Sequence, residues 1–178
     1  MKNTIIVSPE IRSFLDEKVV QYNQPDFIEP DPISIPHQFN LKEDIEIAGF
    51  LAATIAWGNR KMIIKNSLRM VELLGNSPYD FVMNHTEDDL ASFDGFVHRT
   101  FNAEDFRFFI KSLKNIYQNH NGLEAVLCPK EDTDNYQQAI HQFKNIFFEI
   151  PHEVRTLKHV SDPLKGSAST RINMLTYL

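Results

Sequence analysis

The sequence predicts an all-α protein built from many helices, and three observations carry that expectation. Apolar residues recur three and four apart through most of the chain, helix-start signatures stand ahead of those runs, and no stretch sustains period-2 alternation. Fourteen phenylalanines among 178 residues supply large side chains for one packed interior.

The elements follow in order. Ser8-Pro9-Glu10 is a cap with proline at the first helical position, and Ile11, Phe14, Leu15, Val19 and Tyr22 continue at helical spacing. Residues 25–36 hold four prolines and read as an extended arm, because a residue before proline is pushed out of the helical region. Asn40 and Glu43 have capping-box spacing and open a segment, Ile45 to Trp57, that is apolar nearly all round, as a central buried helix should be. Gly58-Asn59 breaks and recaps the chain. The next helix runs from about Arg60 to Leu74 and stops at Gly75.

Ser77-Pro78 and Thr86-x-x-Asp89 start short helices, and Asn102-x-x-Asp105 starts a long one with Phe106, Phe109, Ile110, Leu113, Ile116 and Tyr117 on its apolar face. Asn121-Gly122 ends it. A polar loop, 129–134, precedes a helix carrying Ala139, Ile140, Phe143, Ile146 and Phe147, which Pro151 closes. Ser169 to Leu178 reads as a helix that starts and meets no stop signal, the pattern of an N-terminal portion. Residues 1–178 are thus expected as one helical domain: an N-terminal helix and proline-rich arm over 1–39, a helical core over 40–150, and a hairpin-like segment with the start of a final helix over 151–178.

Composition is that of an ordinary globular protein, 42% hydrophobic and 24% charged, with a mean hydropathy of −0.32. No apolar run approaches the roughly 20 residues of a membrane helix, and the first seven residues are too short an apolar stretch for a signal peptide. Cys128 is the single cysteine, which removes disulfides, zinc–thiolate sites and cysteine-held iron–sulfur clusters within the chain. The cytoplasm is the default location, and no cofactor is indicated.

A net charge of −6 works against indiscriminate nucleic-acid binding, which depends on neutralising phosphates. The distribution is uneven. Ile47 to Val71 contains no acid but holds Arg60, Lys61, Lys65 and Arg69, and from Val154 onward Arg155, Lys158, Lys165 and Arg171 face only Asp162. Lys61, Lys65 and Arg69 stand four apart, so they form one stripe, either a phosphate-contacting one or a solvated face opposite Met62, Ile63, Met70 and Leu73.

Other constellations are weaker. Glu149-x-x-His152 has the spacing of a helical di-metal site, but Pro151 lies between them and there is no second copy, so no metal is assigned. His37, His85, His98, His120, His141 and His159 show no ligand spacing and read as surface or satisfied groups. Cys128 reads as a semi-buried structural thiol, and Trp57 as core anchoring the Gly58-Asn59 turn rather than a wedge into stacked bases.

Several segments together resemble a bacterial family of uncharacterised function, itself similar to helix-hairpin-helix DNA glycosylases. They are Asp31-Pro32-Ile33 with Pro36-His37-Gln38-Phe39, Asp44 to Ala53 through Ala56-Trp57-Gly58-Asn59-Arg60, Leu74-Gly75 with Pro78, Phe96-x-x-Arg99, and Asp162 to Ala168 through Arg171-Ile172-Asn173-Met174. The resemblance implies a multi-helix orthogonal bundle with a DNA cleft, incomplete at the C-terminus. It places a backbone anion site at Gly166, Ser167 and Ala168, and a catalytic lysine where this chain has Thr170; the aspartate of such enzymes falls beyond Leu178. It therefore implies DNA binding with catalysis absent or incomplete. The residues expected to meet double-stranded DNA are Asn59, Arg60, Lys61, Lys65, Arg69, Lys165, Gly166, Ser167, Ala168 and Arg171. The alternative is a helical interaction or scaffold domain that does not bind DNA, favoured by the acidic balance, Thr170 and Ala168.

Overall fold

The computed structural model describes residues 8–128 and 135–175, in which nine α-helices alternate with short 3-10 turns and one two-residue hairpin. The fold is all-α. The polar loop over 129–134, the first seven residues and the last three of the predicted C-terminal helix lie outside the described residues.

Helix α1 (Pro9–Tyr22) begins as expected: Ile11 N donates to Ser8 Oγ at 3.4 Å, with Pro9 at the first position. Its apolar stripe is not buried. Ile11, Phe14, Leu15, Val19, Val20 and Tyr22 are each more than half exposed, and no α1 residue is buried.

The proline-rich arm is not extended. It forms three 3-10 turns, Pro25–Phe27, Pro32–Ser34 and Pro36–Gln38, each opened by a proline whose fixed φ suits the first helical position. Asp31 caps the second by accepting from Ile33 N at 3.0 Å, and Ile35 is buried beside Ala48, Ala52 and Val71. Tertiary burial of Ile35 overrides the local preference for extended chain.

Helix α2 (Lys42–Thr54) is central, packed against α3 (Arg60–Leu73), α4 (Pro78–Asn84), α7 (Gly122–Leu127) and α9 (Thr170–Leu175). Every residue from Ile47 to Thr54 is buried, which explains its apolarity on all sides. Two expectations fail at its ends. Leu41, not Asn40, is the N-cap and makes no side-chain cap bond, and the helix stops at Thr54, not Trp57, as Trp57 N turns back to Ile55 O at 2.7 Å.

Capping boxes do form at Thr86–Asp89 before α5 (Glu87–Ala91), at Asn102–Asp105 before α6 (Ala103–Asn119) and at Asn135–Gln138 before α8 (Tyr136–Phe147). Between α5 and α6 lies an unforeseen hairpin, β1 (Val97–His98) with β2 (Phe101–Asn102), too short to display alternation. Asn121 adopts a left-handed conformation that ends α6, but Gly122 then opens α7 rather than a loop. Residues 151–169 form a 3-10 helix, Val154–His159, and a 3-10 turn, Pro163–Lys165.

Phenylalanines hold these helices together. Phe50 of α2 stacks on Phe109 of α6 at 5.5 Å between centroids and meets Phe143 and Phe147 of α8 edge-on at 5.6 and 5.4 Å, all four fully buried. Burial of each such ring contributes about 1.5–3 kcal/mol. No helix among the described residues is long and apolar enough to cross a membrane.

Candidate functional site

Two arginines distant in sequence, Arg99 and Arg171, reach the chain around the C-terminal end of α2, beside Arg60 at the start of α3, while Arg155 holds the hairpin that carries Arg99. The chain leaves that end through Gly58, at φ +105°, a conformation that favours glycine. Asn59 then caps α3, accepting from Met62 N at 3.2 Å, and Arg60 follows at the first helical position with Nη2 3.9 Å from Asp31. Arg99, at the hairpin turn with φ +55°, lies over Gly58, where a β-carbon would stand 2.6 Å from its Nη1.

Arg155 reaches the same hairpin, donating to Asn102 Oδ1 at 2.7 Å and to the Thr100 carbonyl at 3.1 Å. Arg171, in the first turn of α9, donates to the Thr54 carbonyl at 2.8 Å and lies 4.7 Å above the Trp57 ring. The starts of α3 and α9 thus share one end of α2.

Beneath this surface is a buried polar cluster. Asp105, fully buried, accepts from Thr156 Oγ1 at 3.0 Å and from Asn102 N at 3.0 Å, and stands 3.1 Å from Arg155 Nη1. His159 Nε2 lies 3.2 Å from the same carboxylate, though not aligned for a hydrogen bond. Its ring is 6.3 Å from Trp57, and His98 packs edge-on to Trp57 at 5.2 Å. Asn66 Nδ2 donates to His98 Nδ1 at 2.7 Å, which leaves the ring proton on Nε2.

Burial pushes the pKa of both histidines below the usual imidazole range. Asp105 opposes the shift at His159, while Lys158 and Arg171 add to it; at His98 a contact with the Trp57 main chain opposes it and Arg99 adds to it. Burial also lowers the pKa of the half-buried Arg171 guanidinium, which has no carboxylate partner among the described residues. Among the described residues, the buried hydroxyl oxygens of Thr54 and Ser169 have no hydrogen-bond partner, and Nε2 of His98 and of His159 makes no well-aligned hydrogen bond.

The residues predicted from sequence divide between this end of α2 and other places. Asn59, Arg60, Lys61 and Arg171 gather here. Lys65 continues the exposed stripe along α3, and neither Lys61 nor Lys65 has an ion-pair partner among the described residues. Arg69 is paired with Glu72 at 3.3 Å. Opposite the stripe Ile63 and Met70 are buried as expected, whereas Met62 is 48% exposed.

Lys165 is exposed, at the end of a turn that packs on α8, where Asp162 accepts from His141 Nδ1 at 3.0 Å. The Gly166, Ser167 and Ser169 N–H groups already donate within the chain, to Pro163 O, Asp162 O and Ser167 Oγ, and the Ala168 carbonyl accepts from Asn173. That segment is therefore less open as an anion cradle than the sequence suggests. Thr170 is exposed at the start of α9.

Elsewhere, Glu149 accepts from Asn115 and His120 while His152 turns to the Ile150 carbonyl, so those two do not converge. Cys128 is exposed rather than semi-buried, at the edge of a largely apolar groove of about 380 Å³ between α2, α7 and α9. Trp57 packs partly buried against the main core, as anticipated. His98, His159, Thr54 and Ser169 were not singled out as site residues, because contacts spanning 41 to 117 positions in sequence bring them together. In the sequence Arg155 stands out only as part of a basic segment.

No curated protein and no solved structure matches the chain. One family model does, over residues 31–177, from the cap of the second 3-10 turn at Asp31 to beyond α9, and so including the C-terminal end of α2 and the arginines around it. The chain belongs to the family described as "Protein of unknown function (DUF2400)".

Proposed function

We propose that this protein binds double-stranded DNA through the arginine-lined end of α2 and the adjoining face of α3. The observation that carries the reading is the placement of Arg99 over Gly58 and of Arg171 on the Thr54 carbonyl, beside Arg60 at the start of α3, in a protein that is acidic overall. Arg60, Lys61, Lys65 and Arg99 are exposed and reach for phosphate oxygens; Lys165 lies on the adjoining α8 side. Phosphate contacts position a protein on the duplex without reading its sequence, and a carboxylate-poor patch is what they require. The resemblance to helix-hairpin-helix glycosylases agrees with this location. The reading is of binding and not catalysis, since Thr170 offers no amine for attack on a sugar carbon.

Charge reversal at Lys61 and Lys65 tests it, because both side chains project from a capped helix and contribute nothing to the core. Lys61→Glu/Lys65→Glu should leave the melting temperature within a few degrees of wild type and weaken duplex binding at least tenfold at low salt. Equal affinity would remove the stripe from the interface.

A second reading, an interaction module, is favoured by α1, whose apolar stripe covers nothing in the described chain. Removal of residues 1–23 should leave the rest of the fold stable to within about 1 kcal/mol, because no residue of α1 is buried. If the intact chain sediments as a dimer and the shortened one as a monomer, with duplex binding absent from both, the interaction reading replaces the DNA one.

A further inference from the structure

We infer that the outer face of α8, with Lys165 from the adjoining 3-10 turn, is a second surface that contacts the DNA backbone, separate from the α3 stripe. The inference rests on the DNA-binding reading and enlarges its footprint. Gln137, His141, Lys144 and Asn145 stand three and four apart and so share one face of α8, while Ala139, Ile140, Phe143 and Phe147 fill its buried side. All four reach water: Gln137 and Asn145 are exposed, His141 and Lys144 partly so. Lys165 is exposed at the end of the turn that packs on this helix.

The charge of this face sets it apart from the rest of the molecule. The protein carries a net charge of −6, yet the 12 residues of α8 include no Asp or Glu. Gln137, Lys144, Asn145 and Lys165 supply N–H donors, the groups that meet phosphate oxygens in protein–DNA contacts. The carboxylate that does pack against α8, Asp162, is 5% exposed and turned inward. It accepts from His141 Nδ1 at 3.0 Å and from Leu164 N at 3.1 Å, and Asn145 Nδ2 donates in turn to His141 Nε2 at 3.2 Å. Asp162 is therefore a positioning residue, which ties the turn that carries Lys165 to α8.

Lys144 and Lys165 are near enough for their charges to act on each other. Burial pushes the Lys144 ammonium below the usual lysine range; Asp162 opposes that shift and Lys165 adds to it. Two ammonium groups within each other's field repel, and a phosphate that meets both relieves the repulsion. Lys144 also lies 5.9 Å from the centre of the Phe148 ring, which supports its side chain on the helix surface. Chain connectivity keeps this face near the α3 side. Lys165 is six residues from Arg171, which meets the Thr54 carbonyl, and Arg60 is six residues beyond Thr54. Each of those segments spans at most about 22 Å, against about 68 Å for a duplex of roughly 20 base pairs.

Fluorescence anisotropy of a labelled duplex of about 20 base pairs, titrated with the full chain at low salt, tests the surface. It compares wild type with Lys144→Gln/Lys165→Gln, Gln137→Glu, Lys61→Glu/Lys65→Glu and Arg12→Gln/Lys18→Gln. The last variant removes two positive charges from α1 and so controls for net charge alone. Lys144→Gln/Lys165→Gln should weaken binding about tenfold, and the control less than about twofold. Gln137→Glu places an acid in the first turn of α8, where the helix dipole favours it, so it should fold as wild type does and weaken binding about threefold. Should Lys144→Gln/Lys165→Gln fail to fold, Gln137→Glu decides.

Weakening in both the α8 and the α3 variants would support two surfaces on one duplex. Weakening in the α8 variants alone would keep the α8 surface and remove the α3 stripe. If wild type binds and both α8 variants match the control, the α8 surface is overturned and the DNA reading stands on the α3 side. A wild-type chain that does not bind the duplex at low salt would end the DNA reading and this surface together.

Discussion

Replacing Asp105 with alanine perturbs the group that ties the candidate site to the core. The carboxylate is fully buried, closes the capping box of α6 through Asn102 N at 3.0 Å, and accepts from Thr156 Oγ1 at 3.0 Å. It also stands 3.1 Å from Arg155 and 3.2 Å from His159. Deleting one partner of a buried ion pair costs about 3–5 kcal/mol, because the remaining charge stays desolvated. Arg155 is 39% exposed and regains water, which places that part at or below the low end, while loss of a cap adds about 1 kcal/mol. A total near 3–4 kcal/mol follows, a large share of the 5–15 kcal/mol typical of a domain.

Urea denaturation of wild type and Asp105→Ala, with the slope unchanged, measures it. Asp105→Asn keeps an acceptor for the cap and loses the charge, so it should fall between the two. A loss below about 1 kcal/mol for Asp105→Ala would refute the view that this carboxylate organises the junction of the hairpin, α6 and residues 154–159.

Two further outcomes follow from the same region. His98 and His159 have pKa values depressed by burial, so between those values and the ordinary 6.5 the unfolded chain binds more protons than the folded one. Stability should be level above pH 7 and decline as pH falls below about 6.5, by at most about 1.4 kcal/mol per pH unit per histidine, and His98→Gln/His159→Gln should flatten the decline; a flat wild-type profile from pH 7 to 5 would contradict it. Thr54→Val exchanges an unpartnered buried hydroxyl for a methyl group and should raise stability by about 1 kcal/mol in the same urea assay, whereas a loss of that size would mean the hydroxyl is bonded.

Local signals in the sequence were sufficient wherever a helix is defined by its own ends. Asn59 before α3, Thr86 before α5 and Asn102 before α6 each appear as caps within a few residues of the apolar run they introduce, and the structure forms all three. The same logic failed at Asn40, since packing of Ile45 to Thr54 sets where α2 starts and Leu41 takes the cap position. It failed in residues 25–39 because Ile35 is buried by residues of α2 and α3 that no local window contains. The periodicity of α1 was legible, but whether a stripe is covered depends on the remainder of the assembly.

The site was half legible for the same reason. The basic runs beginning at Arg60 and Arg155 could be counted, but that they meet at one end of α2 depends on Arg99 crossing to Gly58 and Arg171 crossing to Thr54. Asp105 was visible as a capping residue, whereas its contacts with Arg155, Thr156 and His159 join positions about 50 residues apart.

The most direct test of the central claim is equilibrium binding of the full chain to a short DNA duplex over a salt series. Contacts from Arg60, Lys61, Lys65 and Arg99 predict that log K falls linearly with log salt at a slope of about −3 to −4, and that Lys61→Glu/Lys65→Glu reduces the slope by about 2. Absence of binding at the lowest salt, or binding whose strength does not change with salt, would contradict the account.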